Sequence, residues 1–282
     1  MLWKGRRGSG NVEDRRGMSA KNVTIGGGLA GIVIAVIVMF LGGDPTEVLQ
    51  QFQNGQEQTS VPYESNTAED EMAQFVSVVL ADTEEIWTKI FEQNGYIYRK
   101  PTLVLFRDQV ESACGYASSS SGPFYCSADE KIYIDLSFCD LLESRFGVYG
   151  DFAVAYVIAH EVGHHVQQLL GILPQVHEQR QQLSESKANA LTVRLELQAD
   201  FFAGLWAHYA QNMLNVLEQG DLEEALNAAG AVGDDAIQLK TRGRVVPDDF
   251  THGSSEQRMS WFRKGYSTGD ISQGDTFSDD TI

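Results

Sequence analysis

The run His160-Glu161-Val162-Gly163-His164 has residue types and spacing that could do chemistry. On a helix, positions i and i+4 project from one face, so both imidazoles can reach a single metal ion. Glu161 is turned about 100° from His160, off the ion and toward a water held there. Zinc lowers the pKa of such a water to about 7, and a glutamate can take that proton and pass it to a leaving amine. The five-residue pattern also arises by chance, but here Val157, Ile158, Ala159 and Val162 surround it. Two imidazoles and a carboxylate in so apolar a helix are costly unless they are paired or bound to metal. The competing reading is a pair of satisfied core histidines with a salt-bridged glutamate.

A zinc hydrolase needs three protein ligands and an open position. A longer motif ending in a third histidine is excluded, because its glycine and histidine would fall at Gln167 and Leu170. Glu196-Leu197-Gln198-Ala199-Asp200 offers another donor set. Glu196 and Asp200 share a helical face, and Ala203, Gly204 and Ala207 on the following turns allow a close approach to the zinc helix. Glu196 can then coordinate zinc while Asp200 accepts the free ring N–H of a ligating histidine. The bland alternative, a solvated acidic pair, fits poorly with its apolar flanks. For the oxyanion of a tetrahedral transition state the candidate donor is His252, in a polar turn before a helix. A plain capping turn is the other reading there. Arg258 and Tyr125 are further candidates.

These stretches resemble the bacterial neutral zinc metallopeptidase family, whose members carry an N-terminal membrane segment. The resemblance runs through CGYASSSSGPFYC, DEKIYID, AHEVGHHVQ, ELQAD with FFAGLWA, and THGSSEQR before Trp261-Phe262, and covers nearly the whole chain. It implies a gluzincin-like site for one Zn2+, with His160, His164 and Glu196 as ligands, Glu161 as base and Asp200 set behind His160. Phe201 stands where the family pattern leads one to expect a cysteine, and Cys139 where it leads one to expect an aromatic residue.

The elements that must position these residues can be read from periodicity. Met72, Phe75, Val79, Ile86, Ile90 and their neighbours recur at helical spacing, and Gly95 ends the pattern. TLVLF at 102–106 and KIYIDL at 131–136 read as strands, with a long loop at 115–129 between them. The second of these strands is a candidate for pairing with an extended peptide. The zinc helix should span 151–170, stopped by Gly171 and Pro174. A further helix is expected at about 188–217, shorter ones near 221–229 and 254–264, and a loose tail from 268. The expected fold class is α+β: a mainly helical, zincin-like metalloprotease domain with a small sheet, preceded by one transmembrane helix.

Of 21 Lys and Arg and 39 Asp and Glu, six basic and two acidic residues lie in 1–21, leaving 15 against 37 elsewhere. So acidic a remainder repels phosphate backbones, and nucleic acid is not an expected partner. Positions 24–43 carry no charge, and about 20 such residues suffice to cross a bilayer. The preceding basic residues would hold the N-terminus in the cytoplasm. The expected division is therefore a cytoplasmic start at 1–23, an anchor at 24–43, a flexible tether at 44–66 and a catalytic domain at 67–282, exported from the inner membrane. A cleavable signal peptide is the alternative. Cys114 and Cys126 bracket a Gly/Ser-rich loop that a disulfide would close in an oxidising compartment; buried free thiols are the other option. The expected activity is endopeptidase cleavage of exported or membrane-proximal polypeptides. A zinc-bearing adaptor of slight activity and a zinc amidase are the alternatives.

Overall fold

The computed structural model describes residues 1–17, 67–118, 121–279 and 282. The expected span at 24–43 and tether at 44–66 lie outside the described residues. Among the described residues six strands are formed: β1 (Val12–Asp14), β2 (Thr102–Phe106), β3 (Gln109–Ser112), β4 (Gly115–Ser118), β5 (Phe124–Cys126) and β6 (Lys131–Asp135). Four of them make a sheet in the order β1-β2-β6-β5, parallel except for β5, while β3 and β4 form a separate hairpin. Alternation sorts the side chains. Leu103, Leu105, Ile132 and Ile134 enter the main core, whereas Val104, Phe106 and Tyr133 join Val110 and Ala117 of the hairpin in a smaller cluster.

The helices are α1 (Thr67–Gln93), α2 (Ser137–Phe146), α3 (Asp151–Leu169), α4 (Ile172–Arg180), α5 (Glu185–Tyr209), α6 (Asp221–Ala231), α7 (Asp234–Arg242) and α8 (Ser255–Thr268). The apolar face of α1 packs on α3, which is buried along most of its length and lies against α5 and α6. Helix α8 starts at a capping box: the Ser254 hydroxyl accepts from the Gln257 N–H, and the Gln257 side chain accepts from the Ser254 N–H. It then crosses α5 where glycine meets glycine. A Cβ on Gly204 would lie 2.0 Å from the Phe262 carbonyl oxygen, and one on Gly265 would lie 2.1 Å from that of Phe201. Gly163 allows a similar approach of α3 to α5, at Ala199.

Several expectations are corrected. The supposed loop at 115–129 contains β4 and β5; Phe124 stacks on Tyr133 and a disulfide closes the turn, so the stretch gains partners its composition did not announce. Strand β6 is bonded by β2 along its length and by β5 at Lys131, Ile132 and Tyr133, so that stretch has no free edge for a peptide. Pro174 does not end helical structure but sits in the first turn of α4, where its missing N–H costs nothing. The segment after 268 is not loose: a 3-10 turn at Ile271–Gly274 packs on α5 and α8.

The transmembrane part of the expected fold class, and the exported location drawn from it, are overturned. Residues 1–17 pack into the same core as the residues from 67 onward. Strand β1 pairs with β2, Met1 and Trp3 are buried in the core, and the Met1 ammonium lies 2.6 Å from Asp151 Oδ1. Several of the basic residues that suggested an orientation serve acidic neighbours: Lys4 pairs with Glu71, Arg6 with Asp82, Arg16 with Asp14 and Asp70. Among the described residues, no helix is long and apolar enough to cross a membrane.

Candidate metal centre

Helices α3 and α5 together bring three donors to one point. His160 Nε2 is 3.2 Å from Glu196 Oε2, His164 Nε2 is 3.6 Å from the same oxygen, and ligand atoms of the three residues all lie within 4.8 Å of one another. Zinc bonds of 2.0–2.2 Å in a tetrahedron would set such donors about 3.3–3.5 Å apart. Two neutral nitrogens and one carboxylate oxygen, converging from two rigid helices, therefore fit a zinc ion. Glu161, one position from His160, is buried and accepts no hydrogen bond from the described residues.

Each imidazole is held from behind. Asp200 Oδ1 lies 2.8 Å from His160 Nδ1, and because a carboxylate can only accept, Nδ1–H donates and Nε2 is left for the metal. Asp200 also accepts from the Tyr156 hydroxyl at 2.5 Å and from Arg258 Nε at 2.8 Å and Nη2 at 3.1 Å. All three residues are buried. Burial alone would raise the Asp200 carboxyl, but the Arg258 guanidinium and His160 hold it down at about 2. Burial opposes the charge on His160 too, and there the Asp200 and Glu196 carboxylates outweigh it, lifting the metal-free ring to about 10. Glu196 is pulled well below the usual carboxylate range by the two imidazoles, in spite of its burial. Behind His164, the Gln167 Oε1 atom lies 2.9 Å from Nδ1.

His252 lies beside this centre, in a turn organised by Asp234 at the start of α7. Asp234 Oδ2 accepts the N–H groups of Thr251, His252 and Gly253 at 2.7, 2.6 and 3.0 Å, and Oδ1 is 3.4 Å from His252 Nδ1. The same turn meets α5 where Gly253 faces Leu197, next to Glu196. The imidazole side chain is 52 % exposed. Desolvation acts against its charge, while Asp234 and Glu196 more than offset this and raise it.

The other candidates have different settings. The Arg258 guanidinium is engaged beneath His160, on Asp200 and Tyr156, and is not presented to the cleft as an oxyanion donor. The Tyr125 hydroxyl meets His165 Nδ1 at 3.0 Å and ties β5 to α3. Cys114 and Cys126 form a disulfide that joins the β3–β4 turn to the end of β5. Cys139 is a free thiol packed against the core. Tyr156, Gln167 and Asp234 were not singled out from the sequence. Tyr156 and Gln167 sit at i−4 and i+3 from the ligand histidines, a spacing that flags polar groups in an apolar helix. Asp234 is 18 positions from His252, and no local pattern links them.

Comparison with known proteins points to a zinc peptidase family. A family model described as "putative neutral zinc metallopeptidase" matches residues 1–277. The chain is 49 % identical over 287 aligned residues to the uncharacterized protein YpfJ of Escherichia coli K12, covering 98 % of this chain and 99 % of that one. It is 48 % identical over 191 residues to the uncharacterized protein Rv2575 of Mycobacterium tuberculosis H37Rv, covering 64 % of each. No solved structure matches the chain.

Proposed function

The chain belongs to the neutral zinc metallopeptidase family, and on that premise we propose that it is an endopeptidase that hydrolyses polypeptides with one zinc ion held by His160, His164 and Glu196. The observation that carries this reading is the convergence of those donors from α3 and α5, each imidazole fixed by an acceptor behind it. When bound, zinc supplies Lewis acidity toward a water molecule and toward the scissile carbonyl.

The protein's own residues would do the rest. Asp200, braced by Arg258 and Tyr156, keeps the His160 Nδ1–H bonded and its Nε2 lone pair directed at the metal position. Glu161 takes a proton from the attacking water and returns it to the departing amine, the role for which a general base beside the metal is suited. His252, oriented by Asp234, donates to the carbonyl oxygen as negative charge develops there.

Replacing Glu161 with glutamine keeps size and polarity but removes the base. Hydrolysis of a casein-like substrate is expected to fall by roughly 10²–10⁴-fold with zinc content unchanged. Full hydrolysis in Glu161→Gln would reject this mechanism.

A further inference from the structure

Gln167 and Gln198 are buried amides, Gln167 one turn beyond His164 on the same face of α3 and Gln198 on the side of α5 away from Glu196, and each makes hydrogen bonds that permit one orientation only. Gln198 Nε2 donates to the Gly274 carbonyl at 2.8 Å. A carbonyl can only accept, so Gln198 Oε1 must face the other way, and it receives Gln167 Nε2 at 3.1 Å. The same Gln167 Nε2 donates to the Leu195 carbonyl at 2.7 Å, which turns Gln167 Oε1 toward His164 Nδ1. Every link has one polarity. It starts at a backbone carbonyl of the 271–274 turn and ends with His164 carrying its hydrogen on Nδ1 and its lone pair on Nε2.

The segment that begins this relay is fastened to α5 a second time. The Thr276 hydroxyl donates to the Arg194 carbonyl at 2.6 Å, and Arg194 Nη1 donates to the carbonyls of Thr276 and Asp279. Arg194 and Gln198 are four apart, hence on one face of α5, while Glu196 projects from the opposite face. The segment thus grips the turn of α5 that carries one donor and reaches, through two amides, the back of another. A cavity of about 290 Å³ is lined by Leu170, Gln198, Phe202, Ile271 and Phe277.

We propose that residues 270–279 form a positioning element for the metal site, with Gln167 and Gln198 as positioning residues that transmit the Gly274 carbonyl to His164. This rests on the zinc reading above and adds a part of the chain that reading does not use. Outer partners of a metal-bound histidine typically contribute 10- to 100-fold to metal affinity.

The test uses the full chain with zinc affinity measured by chelator competition, and the visible absorption of the cobalt-substituted protein as a report on ligand geometry. Gln167→Met and Gln198→Met keep side-chain length while deleting the hydrogen bonds. Gly274→Ala leaves both amides intact but puts a Cβ 2.6 Å from the buried Phe201 ring, displacing the carbonyl. Gln167→Met is expected to weaken zinc by roughly 10- to 100-fold. Gln198→Met and Gly274→Ala should each give a smaller loss and shift the cobalt spectrum in the same direction, with thermal melts confirming folded protein. Wild-type affinity and spectrum in both Gln198→Met and Gly274→Ala would overturn the relay while leaving the zinc reading intact. No zinc or cobalt uptake by the unsubstituted chain would overturn that reading, and the relay with it.

Discussion

Two substitutions separate binding from turnover at the metal site. Glu196→Ala removes a donor and should lower zinc content, read by metal analysis after dialysis. His252→Ala should leave zinc in place and lower turnover, by roughly 10²–10³-fold if its hydrogen bond is made chiefly in the transition state. Loss of metal in His252→Ala would place that ring among the ligands. Asp200 gives a pH prediction with a definite sign. Its carboxyl is held at about 2, below the ordinary 3.8, so its contribution is present above about pH 4 and lost as pH falls toward 2. Melts of the metal-free protein should show that loss, and Asp200→Asn should flatten this limb while lowering stability at neutral pH, because Arg258 is left buried and unpaired. The candidate ligand histidines stood out because two imidazoles one turn apart in an apolar helix are costly to bury without a metal or a partner. The Asp234–His252 pair was not, since only the fold brings distant positions of a chain together.

At the level of elements, the site depends on how closely α5 can lie against α3 and α8. Gly204→Ala gains helix propensity of about 1 kcal/mol but drives a methyl group into the backbone of α8. A backbone oxygen cannot swing aside, so the net effect is expected to be a loss of roughly 1–3 kcal/mol, seen as a lower melting temperature. A variant that melts at or above the parent would refute the close crossing. The long helices and the strands TLVLF and KIYID could be read from sequence because their apolar periods are long or unbroken. Helices α2, α4 and α7 were missed because they are short, nine or ten residues, and their buried stripes amount to one or two side chains each. The segment after 268 looked loose because it is polar, yet its backbone carbonyls, which side-chain types do not announce, accept from Arg194 and Gln198.

For the molecule as a whole, the largest departure from sequence-based expectation is the place of its first residues. A charge count near an apolar stretch suggested a membrane orientation, but a count cannot tell whether arginines face lipid headgroups or the carboxylates of their own domain. The structure answers with Arg6 on Asp82 and Arg16 on Asp70. A chain lacking residues 1–17 should therefore melt at a lower temperature than the full chain. Unburying Met1 and Trp3 alone forfeits about 1.5–3 kcal/mol for each side chain. An unchanged melting temperature would mean that these residues do not fold with the domain. The pairing of Val12 with Leu103 also has a consequence for biosynthesis. Ribosomes add about 5–20 residues per second, so β1 is made several seconds before the strand it joins, and its backbone groups wait through that interval without their partners. Strand β1 thus finds its seat only after a long stretch of later sequence has left the ribosome.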